Sequence, residues 1–283
     1  NCGLLWGYGG GVYISRTNVY MEDCVITDNV ATRGTPNSFG WGGGLYALAD
    51  GHEVEIRNSR IVSNVAAPTV QGEGGGIFIE KGTVLLIENE ILDNVGSNSH
   101  GGDGGGICLS GVSYAEVLIN TILGNKGTAI GNDWSAGGGL YIANSSSVYV
   151  AGNHIEGNQA ASIAGDGGGV HVHQSDVHLA RNVLISNTAG TWFGYGGGVS
   201  VYSAPVTMSN NLIVHNTAAS YGGGVYLDQD TIPTGWSALV NNTIADNDWS
   251  GIVVHRYAIL SMTNNIVAGH TTGITVEEPF SGN

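Results

Sequence analysis

One pattern dominates the chain: three glycines, then an aliphatic, a variable and a second aliphatic residue. It starts at Gly9, Gly42, Gly74, Gly104, Gly137, Gly167, Gly196 and Gly222, so successive copies lie 33, 32, 30, 33, 30, 29 and 26 residues apart. Weaker copies follow at Gly251-Ile252-Val253-Val254 and Gly273-Ile274-Thr275-Val276. A period of this size belongs to solenoids, whose repeats each bury an apolar face only against their neighbours. The repeat runs through residues 1–283 without a linker, which predicts a single elongated domain.

Within a repeat, three short segments alternate apolar and polar residues, the pattern of strands half-buried on one side. The first follows the glycines. The second is marked by Val54/Ile56, Val84/Leu86, Val148/Val150, Val177/Leu179 and Val206/Met208. The third carries Ile26, Ile61, Ile91, Ile122, Ile155, Leu184, Ile213 and Ile244, each flanked by two polar columns. One column reads Cys24, Ser59, Asn89, Asn120, Asn153, Asn182, Asn211 and Asn242; the other reads Asn29, Asn64, Asn94, Asn125, Asn158, Asn187, Asn216 and Asn247, with His270 closing it. No regular two-residue turn of the hairpin kind joins the segments. If each repeat is one turn of a coil, equivalent residues stack about 4.8 Å apart. Asparagines at the bends then serve backbone groups that a buried corner would otherwise orphan. The expected fold is all-β: a single-stranded, three-faced parallel β-helix of about nine coils with asparagine ladders.

These motifs resemble those of right-handed parallel β-helices of pectate-lyase-like topology, in which an asparagine-lined bend joins two strands. The pairing of Gly-Gly-Gly-aliphatic with aliphatic-x-x-Asn is also similar to the repeats of polymorphic outer-membrane autotransporter proteins. Stretches such as Ile185-Ser186-Asn187-Thr188-Ala189 and Asn241-Asn242-Thr243-Ile244-Ala245-Asp246-Asn247 carry that likeness. The chain departs from it in using Ile or Leu where that family has Phe, and in showing no translocator barrel. The resemblance implies a right-handed coil at a bacterial cell surface; fold alone implies no activity.

Charged residues are few and mostly acidic, 8 Lys and Arg against 23 Asp and Glu, for a formal net charge of −15. Such a surface repels nucleic acid and anionic lipid, and no apolar run is long enough to cross a membrane. The lysine-poor, polar-neutral composition leans extracellular. Cys2, Cys24 and Cys108 are too few and too irregularly spaced for a disulfide framework or a zinc site, and they leave the redox state open. The chain starts and stops in mid-repeat, as a fragment of something longer would, and open coil ends would allow stacking on like subunits.

The loops before the glycines vary most in length, and variable loops on one edge of a solenoid commonly build its binding face. The outward residues of the glycine strand form a column that includes Tyr46, Phe78, Tyr141, His171 and Tyr226, and the loops add Trp41, Trp134, Trp192 and Tyr195. These are the candidate glycan-binding residues, since aromatic faces pack on sugar rings. Stacked aromatics also stabilise neighbouring coils without binding anything. Glu73, Asp103 and Asp166 stand immediately before the glycines and are the candidate catalytic carboxylates. Stacking sets Glu73 beside Asp103, with Asp166 two coils beyond, a spacing compatible with the carboxylate pairs of glycoside hydrolases. Acidic residues before glycine are also ordinary turn formers. No basic residue stands in this column to serve as a lyase base. No cofactor is required; calcium at the acidic column is the alternative. His171 and His173 share a strand face, but no third ligand completes a metal site. Two readings stay open: a cell-surface structural or adhesive β-helix contacting glycans or like subunits, or a polysaccharide hydrolase or lyase with its groove along the glycine strand.

Overall fold

In the computed structural model, residues 6–34, 38–131, 133–230 and 235–277 are described. Every strand pairing among them is parallel, and no helix occurs. Three faces run the length of the stack. Ten strands, from Val12–Ser15 to Thr272–Glu277, form the first; nine, from Val19–Glu22 to Leu260–Thr263, the second; nine, from Val25–Thr27 to Ile266–Ala268, the third. This is the expected three-faced coil, and the expected nine turns are present, with a tenth strand on the first face.

Register follows the sequence repeat. Leu45 pairs with Ile77, Ile77 with Ile107 and Ile107 with Leu140, so aliphatic columns stack inside the bore. Val54, Ile61, Leu86 and Ile122 from the other faces are equally buried. Each such side chain contributes about 1.5–3 kcal/mol by leaving water, and the contribution is repeated in every coil.

The asparagine columns form continuous ladders. The side-chain oxygen of Asn125 accepts from the backbone N–H of Asn94 at 2.9 Å and from its Nδ2 at 3.0 Å. Asn125 Nδ2 in turn donates to the Ile91 carbonyl at 2.8 Å and to Asn158 Oδ1 at 3.0 Å. The ladder that ends the expected column at Asn242, here the inner ladder, extends one residue further to Asn265, and His270 caps the outer ladder, Asn29 to Asn247, at 3.2 Å from Asn247. Residues before the ladder asparagines take left-handed backbone angles, among them Glu88 at φ 57° and Asp93 at φ 54°. Asn, Asp and Gly tolerate that bend best.

The triple glycines sit against the chain leaving each outer ladder. Gly104 has φ +62°, and a Cβ on Gly105 would lie 2.2 Å from the Lys126 carbonyl carbon. Gly104 to Gly106 are buried. The glycine strip is therefore packed main chain rather than an open groove, because the chain after each ladder asparagine lies directly over it.

Candidate functional site

The loops carry a fourth strand that the three-segment reading missed. Trp6–Tyr8, Phe39–Trp41 and Gln71–Glu73 pair in one three-stranded sheet; Ser135–Ala136, Ala164–Asp166 and Phe193–Tyr195 pair in another. The signal was present: aromatic-Gly-aromatic or x-Gly-acid stands immediately before the triple glycine in Trp6-Gly7-Tyr8, Phe39-Gly40-Trp41, Ala164-Gly165-Asp166 and Phe193-Gly194-Tyr195.

The last residue of this element forms a column of its own. Backbone bonds order it as Trp41, Glu73, Asp103, Ala136, Asp166, Tyr195 and Tyr221: Gly42 N–H reaches Glu73 O at 3.0 Å, Gly74 N–H Asp103 O at 2.8 Å, and Gly104 N–H Ala136 O at 2.9 Å. Gly137 N–H continues to Asp166 O at 2.9 Å, and Gly167 N–H to Tyr195 O at 3.0 Å. With Tyr8 at its start, the column spans eight coils, about 34 Å at the usual strand spacing.

These side chains lie over the outward column of the glycine strand. Tyr8 meets Tyr46 edge-on at 4.8 Å between ring centres, and Tyr195 stacks on Tyr226 at 4.9 Å. Tyr46, Phe78 and Tyr226 were expected to offer open ring faces. All three are buried instead: Tyr46 and Phe78, each 5% exposed, form a second core with Cys108, and Tyr226 lies under Tyr195. Half-covered Trp41 and Tyr141 pack against that core. His171 is also buried, under Tyr141, with ring centres 5.5 Å apart. The loops fold back as strands rather than splaying, and that brings the cover.

Exposed aromatics lie one step farther out. Trp134 is 49% exposed and Trp192 72%, with Phe193 and Tyr221 beside them; Trp6, Tyr8 and Tyr13 are exposed at the other end. Trp6 and Tyr8 stack on Trp41 at 5.3 and 5.0 Å, and Tyr195 stacks on Tyr221 at 6.1 Å. Two aromatic platforms thus flank a central acidic stretch.

The acids between them are held in a dry setting. Burial, reinforced by neighbouring Asp103, pushes the Glu73 carboxyl up to about 7 against a bond from Trp41. Burial pushes Asp103 up to about 6, although it accepts the Ala136 N–H at 2.8 Å. Asp166 rises to about 7 for the same reason, although Trp134 Nε1 donates to its Oδ2 at 3.2 Å and the Tyr195 backbone N–H also favours the carboxylate. Burial drives His171 down to about 3 and lowers His173. Asp166 Oδ1 and His171 Nδ1 are buried without a hydrogen-bond partner.

Ala136 is the one small side chain among these column residues. A pocket of about 280 Å³ opens there, lined by Asp103, Trp134, Tyr141, Asp166, His171 and Tyr202, with His173 also on its wall. The structure thus brings Asp103, Asp166, Trp134, Tyr141 and His171 together. Glu73 stands one coil away on the far side of Asp103. Tyr195 belongs to the neighbouring platform, with exposed Trp192 in the loop just before its strand, and Trp41 belongs to the opposite one. His178 lies on the second face, bonded to Ser209 at 3.1 Å, apart from the other histidines. Cys24 and Cys108 are free thiols; Cys2 lies outside the described residues. Among the described residues, no three His, Cys, Asp or Glu are placed to hold a metal ion.

A profile for right-handed β-helix regions matches residues 43–233 and 167–281. No curated protein sequence matches the chain. Among solved structures, the catalytic domain of a point-substituted GH87 α-1,3-glucanase in complex with tetrasaccharides aligns at 12% identity and a TM-score of 0.22. That alignment covers 97% of this chain and 64% of the other. The same catalytic domain with nigerose aligns at 12% identity and a TM-score of 0.21, with the same coverage. The chain thus spans 64% of the length of the structures it aligns with. On the profile match and its parallel coil, the chain belongs to the right-handed β-helix family.

Proposed function

We propose that this β-helix recognises glycans along its loop edge, as a secreted or cell-surface structural or adhesive protein. The observation that carries the reading is the arrangement of the edge: exposed, mutually stacked rings on both sides of a recessed acidic pocket, aligned along one axis. Half-exposed aromatic rings beside convergent polar groups suit sugar rings, whose apolar faces stack while their hydroxyls seek polar partners. The acidic charge disfavours nucleic acid and anionic membranes as partners. The likeness of the glycine and asparagine repeats to those of polymorphic outer-membrane proteins supports a bacterial surface setting. The test is affinity electrophoresis through a panel of embedded polysaccharides. Retardation of the wild type by at least one of them, reduced in a Trp134→Ala/Trp192→Ala variant, supports the reading; unretarded migration in all of them sinks it.

A second reading, polysaccharide hydrolysis, is favoured by one observation. Asp103 and Asp166 flank the gap at Ala136 and line the same pocket, two coils and about 9.6 Å apart along the backbone. That backbone spacing is just beyond the about 6.5–9.5 Å between carboxyl groups that flank a water and a glycosidic bond, so the two side chains need only lean slightly toward each other to meet it. A carboxyl held near neutrality suits a general acid. New reducing ends from a polysaccharide, abolished in Asp103→Asn, would establish it; a panel without turnover leaves recognition alone.

A further inference from the structure

The pocket at Ala136 has an unusual polar inventory. Asp103, Asp166 and His171 line it, and His171 Nδ1 is buried without a hydrogen-bond partner. None of the ion pairs among described residues involves Glu73, Asp103 or Asp166. Arg256 is engaged by Asp228 and Asp230, and Asp230 also takes the Tyr202 hydroxyl. Asp166 Oδ1 is buried without a completed hydrogen bond, although the Tyr195 backbone N–H is near the carboxyl, and His171 Nδ1, a donor or an acceptor according to the tautomer, is unpartnered in a side chain only 6% exposed. Buried polar atoms left unpaired are costly, and no ion pair among the described residues brings positive charge to these acids.

We propose that this pocket seats a single primary ammonium group carried by a glycan, the free amine of a 2-amino-2-deoxy sugar residue, between the carboxylates of Asp103 and Asp166. The inference rests on the glycan reading of the edge. An ammonium brings three donors and no acceptor, matching a wall that offers acceptors on two sides. The rings of Trp134, Tyr141 and Tyr202 line the same space, and aromatic faces attract cations. An acetylated amine would turn a carbonyl oxygen toward two carboxylates, a repulsive contact that selects against it. Burial keeps His171 neutral, with its pKa near 3, so no cation from the protein occupies the seat. No metal-binding triad of His, Cys, Asp or Glu competes for it among the described residues.

An ammonium arriving between carboxyls that are partly protonated when the pocket is empty expels protons. A neutral sugar does not. Glu73 in the next coil, Tyr141, His173 and Tyr202 on the pocket wall, and Cys108, Tyr195, Tyr226, Asp228 and Arg256 around it are the other titratable or charged groups near the seat.

The experiment is isothermal titration at about pH 6.5, in two buffers of different ionisation heat, with tetramers of 2-amino-2-deoxyglucose, its N-acetylated form and glucose. The amino tetramer is expected to bind at least about tenfold more tightly than either other, the size of one charge-assisted contact. Its heat should differ between buffers because protons are released. In Asp166→Asn and Asp103→Asn that preference should fall by about tenfold and the buffer dependence should shrink. Far-UV circular dichroism checks that the coil persists, and the proton release of the wild type stands independently of any variant. Equal affinity for the three tetramers, or amino-tetramer heat that is the same in both buffers, would overturn the ammonium seat and leave glycan recognition standing. Binding of the N-acetylated form in preference, or amino-tetramer binding that needs added calcium, would overturn it as well. Failure of all three tetramers, in a protein that is retarded by other polysaccharides, would overturn the seat alone; failure alongside unretarded migration would overturn both.

Discussion

Trp134 Nε1 donates to Asp166 Oδ2 at 3.2 Å, while the other oxygen of that carboxylate stays buried and unpartnered. The contact ties a half-exposed ring to the acid it overhangs, one coil away in the stack. Trp134→Phe keeps a ring and removes the donor, so the Asp166 carboxyl should rise further above its ordinary range. Carbon-13 NMR titration of the labelled aspartates in wild type and variant measures this, and an unchanged Asp166 midpoint would contradict it.

Stability should fall as pH rises from about 6.5 to 8. Glu73 and Asp166 keep a proton up to about 7 in the folded chain, whereas unfolded carboxyls release theirs near 4. The folded state thus binds more protons from about pH 4 up to about pH 7, where each group lowers stability by up to about 1.4 kcal/mol per pH unit, and the loss levels off as pH passes 7. Below the unfolded histidine range the opposite term enters, because buried His171 stays neutral down to about 3 and stability is lost as the unfolded imidazole gains its proton. Thermal melts from pH 6.5 to 8 should therefore decline, and Glu73→Gln with Asp166→Asn should flatten them.

Asn125→Ala should be strongly destabilising. It leaves the Asn94 N–H and Nδ2 without their acceptor and the Ile91 carbonyl without its donor, all inside the stack. Each orphaned buried group costs about 1–3 kcal/mol. Asn265, at the last rung, is itself partly exposed although the Asn242 groups it serves are buried, so water can replace part of what Asn265→Ala removes and the cost should be smaller. Urea melts of the two variants make the comparison.

Ile119 occupies a left-handed bend, φ 57°, and is 60% exposed. Equivalent bends are filled by Asn58, Asn210 and Asn241. A β-branched residue there carries strain of about 1–2 kcal/mol, so Ile119→Asn should stabilise the coil by about 1 kcal/mol. A lower melting temperature would show that the apolar side chain contributes more than the strain removes.

The coil was legible because its causes repeat. The spacing of Gly74, Gly104 and Gly137, and the rungs Asn64, Asn94 and Asn125, recur once per turn, and each needs the neighbouring coil to make sense. The site was legible only as a set of residues. Tyr46 and Phe78 alternate correctly for the outward face, yet local alternation cannot report that Tyr8 and Trp41 return to cover that face. The pocket arises from a missing side chain, Ala136 among Asp103, Asp166 and Tyr195, and an alanine in one of eight loops carries no pattern of its own.

The most direct measurement is the affinity of the wild-type chain for a homologous series of oligosaccharides of increasing length, cut from a polysaccharide that retards it. If the loop edge is the binding face, affinity should rise with each added sugar until the chain spans the pocket and the platform of Tyr195 and Tyr221, then level off. Trp192→Ala should flatten the long end of the series and leave the short end unchanged. Affinity that is the same from the shortest member to the longest, or a series unaltered in Trp192→Ala and Trp134→Ala, would contradict glycan recognition along this edge.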